Sequence, residues 1–79
     1  MDINQDIKFL IDIRIQDVLG YIVNDEKIEY DKAIDKFYNS KTFSKLTDIE
    51  TGLYLESSAF VYSLYKAEMQ TGNIPQTDW

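Results

Sequence analysis

Cysteine and histidine are both missing from the chain. Without cysteine there is no disulfide, and without either residue a structural zinc site lacks its usual ligands. The same two absences remove the Cys–His and Ser–His pairs on which most nucleophilic catalysis rests. Proline occurs once, at 75, and the three glycines stand apart at 20, 52 and 72, so no glycine-rich phosphate loop exists. No run of 18 apolar residues is present to span a membrane. The opening Met1-Asp2-Ile3-Asn4 has no basic region ahead of an apolar one, as a signal peptide requires, and a cytoplasmic location is the expectation. Basic residues are few, 8 against 14 acids for a net charge of −6. Phosphate binding rests on clustered Lys and Arg, so neither direct nucleic-acid contact nor an anionic membrane is expected. No cofactor is expected either.

What the chain does have is apolar periodicity. Its 79 residues, 44% of them hydrophobic, suit one folded domain rather than a disordered segment. The expected division is a helical domain over 1–72 followed by a C-terminal tail over 73–79. A chain of this size buries only about 60% of the surface that it exposes when unfolded. With disulfides and zinc removed, association with a second chain is the remaining reinforcement, and a dimer stands beside a monomer as an expected state.

The longest periodic run is Ile3 to Val23. At 100° per residue, Ile3, Ile7, Leu10, Ile11, Ile15, Val18, Tyr21 and Ile22 share one broad face of a helix. A second, narrower line runs down its back, where Phe9 and Ile13 are followed by Gln16 and Gly20. Either a loop or the tail covers that line, or a partner does. Tyr30, Ala33, Ile34, Phe37 and Tyr38 predict a second helix over 30–39, with Glu29 and Asp31 at the end where negative charge suits the dipole. Phe43 and Leu46 suit a single helical turn over 41–46. Gly52 suits a turn, and Leu53–Glu56 reads as a short extended piece before Ser57, an N-cap type. A last helix over 58–71 should stop at Gly72. The fold class is therefore all-α, a compact small bundle of three main helices plus a short helical turn. Its core should include Ile7, Leu10, Ile11, Val18, Ile22, Ala33, Ile34, Phe37, Phe43, Leu46, Leu53, Phe60 and Leu64. Trp79 either folds back onto apolar surface or stands as an exposed anchor.

Few residues suggest chemistry. A Ser44 pair with Lys41 or Lys45, and the carboxylates Asp48, Glu50 and Glu56, are more simply surface and turn residues. Asp48-x-Glu50-x-Gly52 lacks the alternating ligands of a calcium loop, so no metal is expected. Lys36, Lys41 and Lys45 form an acid-free stretch suited to a phosphate or an acidic strip, or merely to solvent. On the last helix Phe60, Leu64 and Ala67 supply one face. Tyr62, Tyr65 and Met69 then form a second line that suits an interface, with Phe9 and Ile13 as companions. The acids of the first forty residues, nine against five bases, offer an alternative: an acidic regulator or nucleic-acid mimic that inhibits a DNA-binding protein or toxin.

The middle of the chain resembles a family of small uncharacterised bacterial helical domains. Ala33-Ile34-Asp35-Lys36-Phe37-Tyr38-Asn39-Ser40, then Leu46, then Asp48-x-x-Thr51-Gly52-Leu53-Tyr54-Leu55-Glu56-Ser57 carry the resemblance, which covers residues 30–65. It implies a helix ending in Phe-x-x-Ser, a Thr-Gly-Leu-Tyr segment and a final helix. Some members sit beside toxin-like genes, which implies one half of a two-component module. No catalytic residue is carried over. The functional expectation is a non-enzymatic protein–protein interaction module that binds a protein partner or itself as a homodimer, through Phe9, Ile13, Tyr62, Tyr65 and Met69.

Overall fold

Helix α1 (Ile3–Glu26) continues nearly a turn past the expected stop at Val23. It closes on Lys27, whose backbone adopts the left-handed conformation at φ 55° and whose N–H still donates to the Val23 carbonyl at 3.0 Å. That conformation is usually left to glycine at a helix end, and a side chain there costs about 1 kcal/mol. The connector to α2 (Tyr30–Tyr38) is correspondingly short. A computed structural model provides these coordinates and describes residues 3–72. Trp79 and the tail over 73–79 lie outside the described residues.

The chain is all-α. Four helices and two single 3-10 turns carry it, and no strand occurs among the described residues. The 41–46 segment, expected as one turn, is a full helix, α3 (Lys41–Thr47). Ser40 makes the α2–α3 elbow. Its N–H and Oγ both donate to the Phe37 carbonyl, and its Oγ accepts the Phe43 N–H at 3.0 Å. The end of one helix and the start of the next thus share one side chain.

The extended piece expected over 53–56 is instead a 3-10 turn, Leu53–Leu55. Asp48 caps the preceding turn, Ile49–Thr51, and Gly52 at φ 69° redirects the chain. The Leu55 and Glu56 N–H groups then donate to the Gly52 and Leu53 carbonyls. No described strand stands beside this segment to take an extended backbone's hydrogen bonds, and it closes on itself. Ser57 caps α4 (Ser58–Thr71) through the Phe60 N–H at 3.1 Å, and Gly72 ends it at φ 79°, both as expected.

One buried cluster joins all four helices. Ile11, Ile15, Val18, Leu19 and Ile22 of α1 meet Ala33 and Phe37 of α2, Leu46 of α3, Leu53, and Val61, Leu64 and Tyr65 of α4. Phe37 lies near its centre, edge-on to Phe43 at 5.5 Å and to Tyr65 at 5.7 Å between ring centroids. Ile7, Ile34 and Phe43 pack at its margin. Phe60, expected in the core, faces outward. Helix α4 is rotated relative to the apolar reading, and the cause is polar. Glu68 is buried, with its carboxylate accepting the Lys41 and Thr42 N–H groups at 2.8 and 2.9 Å and the Thr42 hydroxyl at 2.8 Å. That anchor turns Val61, Tyr65 and Glu68 inward and carries Phe60 to the surface.

Candidate interaction surface

The relative placement of α1 and α4 determines which expected site residues can meet. Ser58 at the start of α4 donates to Asp17 at 2.6 Å and accepts from Arg14. Arg14 Nε also donates to the Glu56 carbonyl at 2.7 Å. A turn further along, the Tyr62 hydroxyl donates to Asp25 at 2.6 Å, and its ring lies 5.2 Å from that of Tyr21. Numbers rise together along both helices, so they run parallel. The first half of α1 therefore extends below the start of α4. Phe9 lies twelve residues before Tyr21, about 18 Å along the axis at 1.5 Å per residue.

Phe9 is 65% exposed, and Ile13, one turn on, is half-buried. Gln16 and Gly20 continue the same line and are exposed. No described loop covers it. At the other end of the molecule Met69 is 47% exposed. Tyr62 is half-buried, tilted against Tyr21 and stacked beside Tyr65, with the Lys66 ammonium 5.5 Å above its ring. Burial first, then the hydrogen bond to Asp25, pushes its hydroxyl pKa well above the ordinary tyrosine value.

Tyr65 is a correction. It is 1% exposed and belongs to the core, so it cannot belong to a docking surface. Burial, followed by the nearby Glu26 and Glu68 carboxylates, pushes its pKa up to about 12. Its hydroxyl finds no acceptor with hydrogen-bond geometry among the described residues, although the Glu26 carboxylate acts on it. The five expected residues therefore do not merge. Phe9 and Ile13 form one line on α1, Tyr62 joins a polar-tied contact between helices, Met69 stands apart, and Tyr65 is internal. Sequence reasoning missed Leu55 and Phe60, which are exposed apolar side chains near the start of α4. An exposed leucine in a short apolar run carries no periodic signal that marks it as outward.

The other candidates resolve into structural roles. Lys36 pairs with Glu26, and the Lys41 ammonium donates to the Gly72 carbonyl at 3.2 Å, so two lysines of the acid-free stretch serve the fold. Asp48 is a cap. No group of three or more metal-ligating side chains occurs among the described residues, and no described helix is long and apolar enough to cross a membrane. A shallow groove along α2 is lined by Ile28, Asp31, Lys32, Asp35 and Lys36, two cations and two anions that offset each other. No family model, curated protein or solved structure matches the chain.

Proposed function

We propose that the chain is a non-enzymatic, cytoplasmic protein–protein interaction module that docks through the outward face of α1. The observation that supports this reading is the exposed Phe9, followed by Ile13, on a regular helix whose other apolar side already fills the core. A large aromatic side chain held on a rigid helix is the kind of anchor that dominates interface energies. The resemblance to small bacterial domains of two-component modules agrees with a protein partner. The residue inventory, with neither histidine nor cysteine, agrees with a non-enzymatic role.

A second reading, an acidic regulator of a DNA-binding protein or toxin, draws on the exposed Asp6 and Asp12 beside the same line, neither of which has an ion-pair partner among the described residues. Salt separates the two readings. Capture of host proteins on the immobilised chain, read by mass spectrometry, should give a partner that is retained at high salt and lost with Phe9→Ala plus Ile13→Ala. A Phe60→Ala control should keep it. A partner released by salt and indifferent to Phe9 favours the acidic reading.

A further inference from the structure

The uncovered line of α1 has the spacing of a helix-pairing seam. Phe9, Ile13, Gln16 and Gly20 stand four, three and four residues apart, the alternation by which one helix packs along another. They cover three turns, about 16 Å of the axis. At Gly20 a Cβ would meet nothing within 4 Å, so the missing side chain leaves open room on the line.

Charge of one sign borders this seam. Asp12 and Asp17 lie about 70° to either side of its centre, at the positions where charge sets partner choice in paired helices. Both are exposed, and exposed Asp6 continues the seam a turn before Phe9. Asp6 and Asp12 have no ion-pair partner among the described residues, and one Asp17 oxygen accepts the Ser58 hydroxyl at 2.6 Å. The cations of α1 stand further round. Lys8 is about 110° from the centre and Arg14 about 130° from it, tied to the Glu56 carbonyl. Lys27, past the helix end, is about two turns beyond Gly20.

Resting on the interaction reading above, we propose that the occupant of this seam is a cationic amphipathic helix of a protein partner. Its apolar side packs along Phe9 and Ile13, with a large side chain over Gly20. Lys or Arg on its borders faces Asp12 and Asp17, and a further cation meets Asp6. A second copy of this chain lacks that complement: laid parallel, it sets Asp12 against Asp17 of the other chain, and each copy carries −6. The border charges steer encounter and reject acidic partners, whereas the apolar seam holds the complex once formed. Salt therefore slows association without hastening release.

Two synthetic helical peptides of three heptads, titrated into the isotope-labelled chain and followed by NMR, test the assignment. Both carry leucine along the seam; one has lysine on its borders and the other glutamate. One helix pair buries less than the ~1,200 Å² of a standard interface, so micromolar binding of the lysine peptide is the expected result, with shifts concentrated between Phe9 and Gly20. The glutamate peptide should bind roughly tenfold more weakly or not at all. Phe9→Ala should weaken the lysine peptide by about tenfold. Asp12→Lys should narrow the gap between the two peptides by about tenfold. Glu50→Lys, the same charge change on the exposed turn Ile49–Thr51, should leave that gap as it is. Peptides that bind alike, shifts that fall elsewhere, equal effects of Asp12→Lys and Glu50→Lys, or no binding of the lysine peptide would each overturn the proposal. None of them touches the interaction reading, which fails only if capture of a host protein does not depend on Phe9 and Ile13.

Discussion

Replacing Glu68 with alanine should come close to unfolding the protein. Its carboxylate accepts three hydrogen bonds from α3, two from backbone N–H groups and one from the Thr42 hydroxyl, all between 2.8 and 2.9 Å. Thr42 is fully buried and Glu68 nearly so. Hydrogen bonds to a charged acceptor are worth about 1.5–3 kcal/mol each, and every donor orphaned in the interior costs about 1–3 kcal/mol. The three are not additive. Lys41 is exposed, so water recovers part of its share. The net loss for Glu68→Ala is then about 3–5 kcal/mol, against a total stability of roughly 4–12 kcal/mol for a chain of this length. Glu68→Gln keeps one acceptor oxygen but presents an amide donor to groups that are themselves donors, and should cost about 2–3 kcal/mol. Thr42→Val removes a single hydroxyl at nearly constant volume and should cost about 1 kcal/mol. Urea unfolding followed by far-ultraviolet circular dichroism gives all three values, and the order should be alanine, glutamine, then valine. The Glu68→Ala/Thr42→Val double variant should lose less than the sum of its parts, because the two single changes break the same bond. A loss below about 1 kcal/mol for Glu68→Ala refutes the reasoning: α4 would then be oriented by apolar packing alone.

Three further substitutions test other parts of the same geometry. Tyr65→Phe removes a buried hydroxyl that lacks an acceptor, so stability at neutral pH should hold or rise by up to about 1 kcal/mol in urea titrations. The same variant should change the alkaline limb. The folded state keeps the Tyr65 proton up to about pH 12, whereas an unfolded tyrosine releases it near 10. Its contribution is complete below pH 10 and is lost as pH rises toward 12, by at most about 1.4 kcal/mol per unit; the phenylalanine variant should therefore lose stability less steeply over that interval. Lys27→Gly relieves the left-handed residue at the end of α1 and should stabilise by about 1 kcal/mol, less the added entropy of a glycine, which a raised melting temperature would register. Arg14→Ala strips the Glu56 carbonyl of its donor and should lower stability by about 1–2 kcal/mol, with hydrogen exchange faster at the start of α4 than at the end of α1.

The helices were legible where their signals are local. Ser57 and Gly72 bound α4 because a hydroxyl that accepts an N–H and a residue free to adopt positive φ act within a few positions of the helix end. Ala33 and Phe37 were placed correctly by spacing alone. The rotation of α4 was not legible, because Glu68 reaches across 26 residues to Thr42. A glutamate in a helical pattern reads as solvent-facing, and only the position of α3 makes it an internal cap. With Glu68 turned inward, Tyr65 enters the core and Phe60 leaves it, so one unseen polar contact accounts for both errors. The 3-10 turn at Leu53–Leu55 escaped for a related reason: three apolar residues do not distinguish an extended piece from a turn until the lack of a pairing strand is known. Phe9 and Ile13 were legible as a second apolar line, since a helix has only one side to give to a core of this size.

The polar ties that orient α4 all avoid the outer line of α1. Arg14, Asp17 and Asp25 reach toward α4 and its approach, while Glu26 pairs with Lys36. Beyond the helix's own backbone bonds, Phe9, Ile13, Gln16 and Gly20 take part in no hydrogen bond or ring contact among the described residues. Folding energetics therefore place little demand on that line, and substitutions along it should move stability by only tenths of a kcal/mol, apart from the helix-propensity gain at Gly20. An isolated monomer gains nothing from an exposed phenylalanine or from a glycine in the middle of its longest helix. In a small domain without disulfide or zinc, those are the features that contact with a second chain would use. Phe9→Ala plus Ile13→Ala thus separates the demands of folding from those of association: the pair of changes should leave the fold intact and remove the partner.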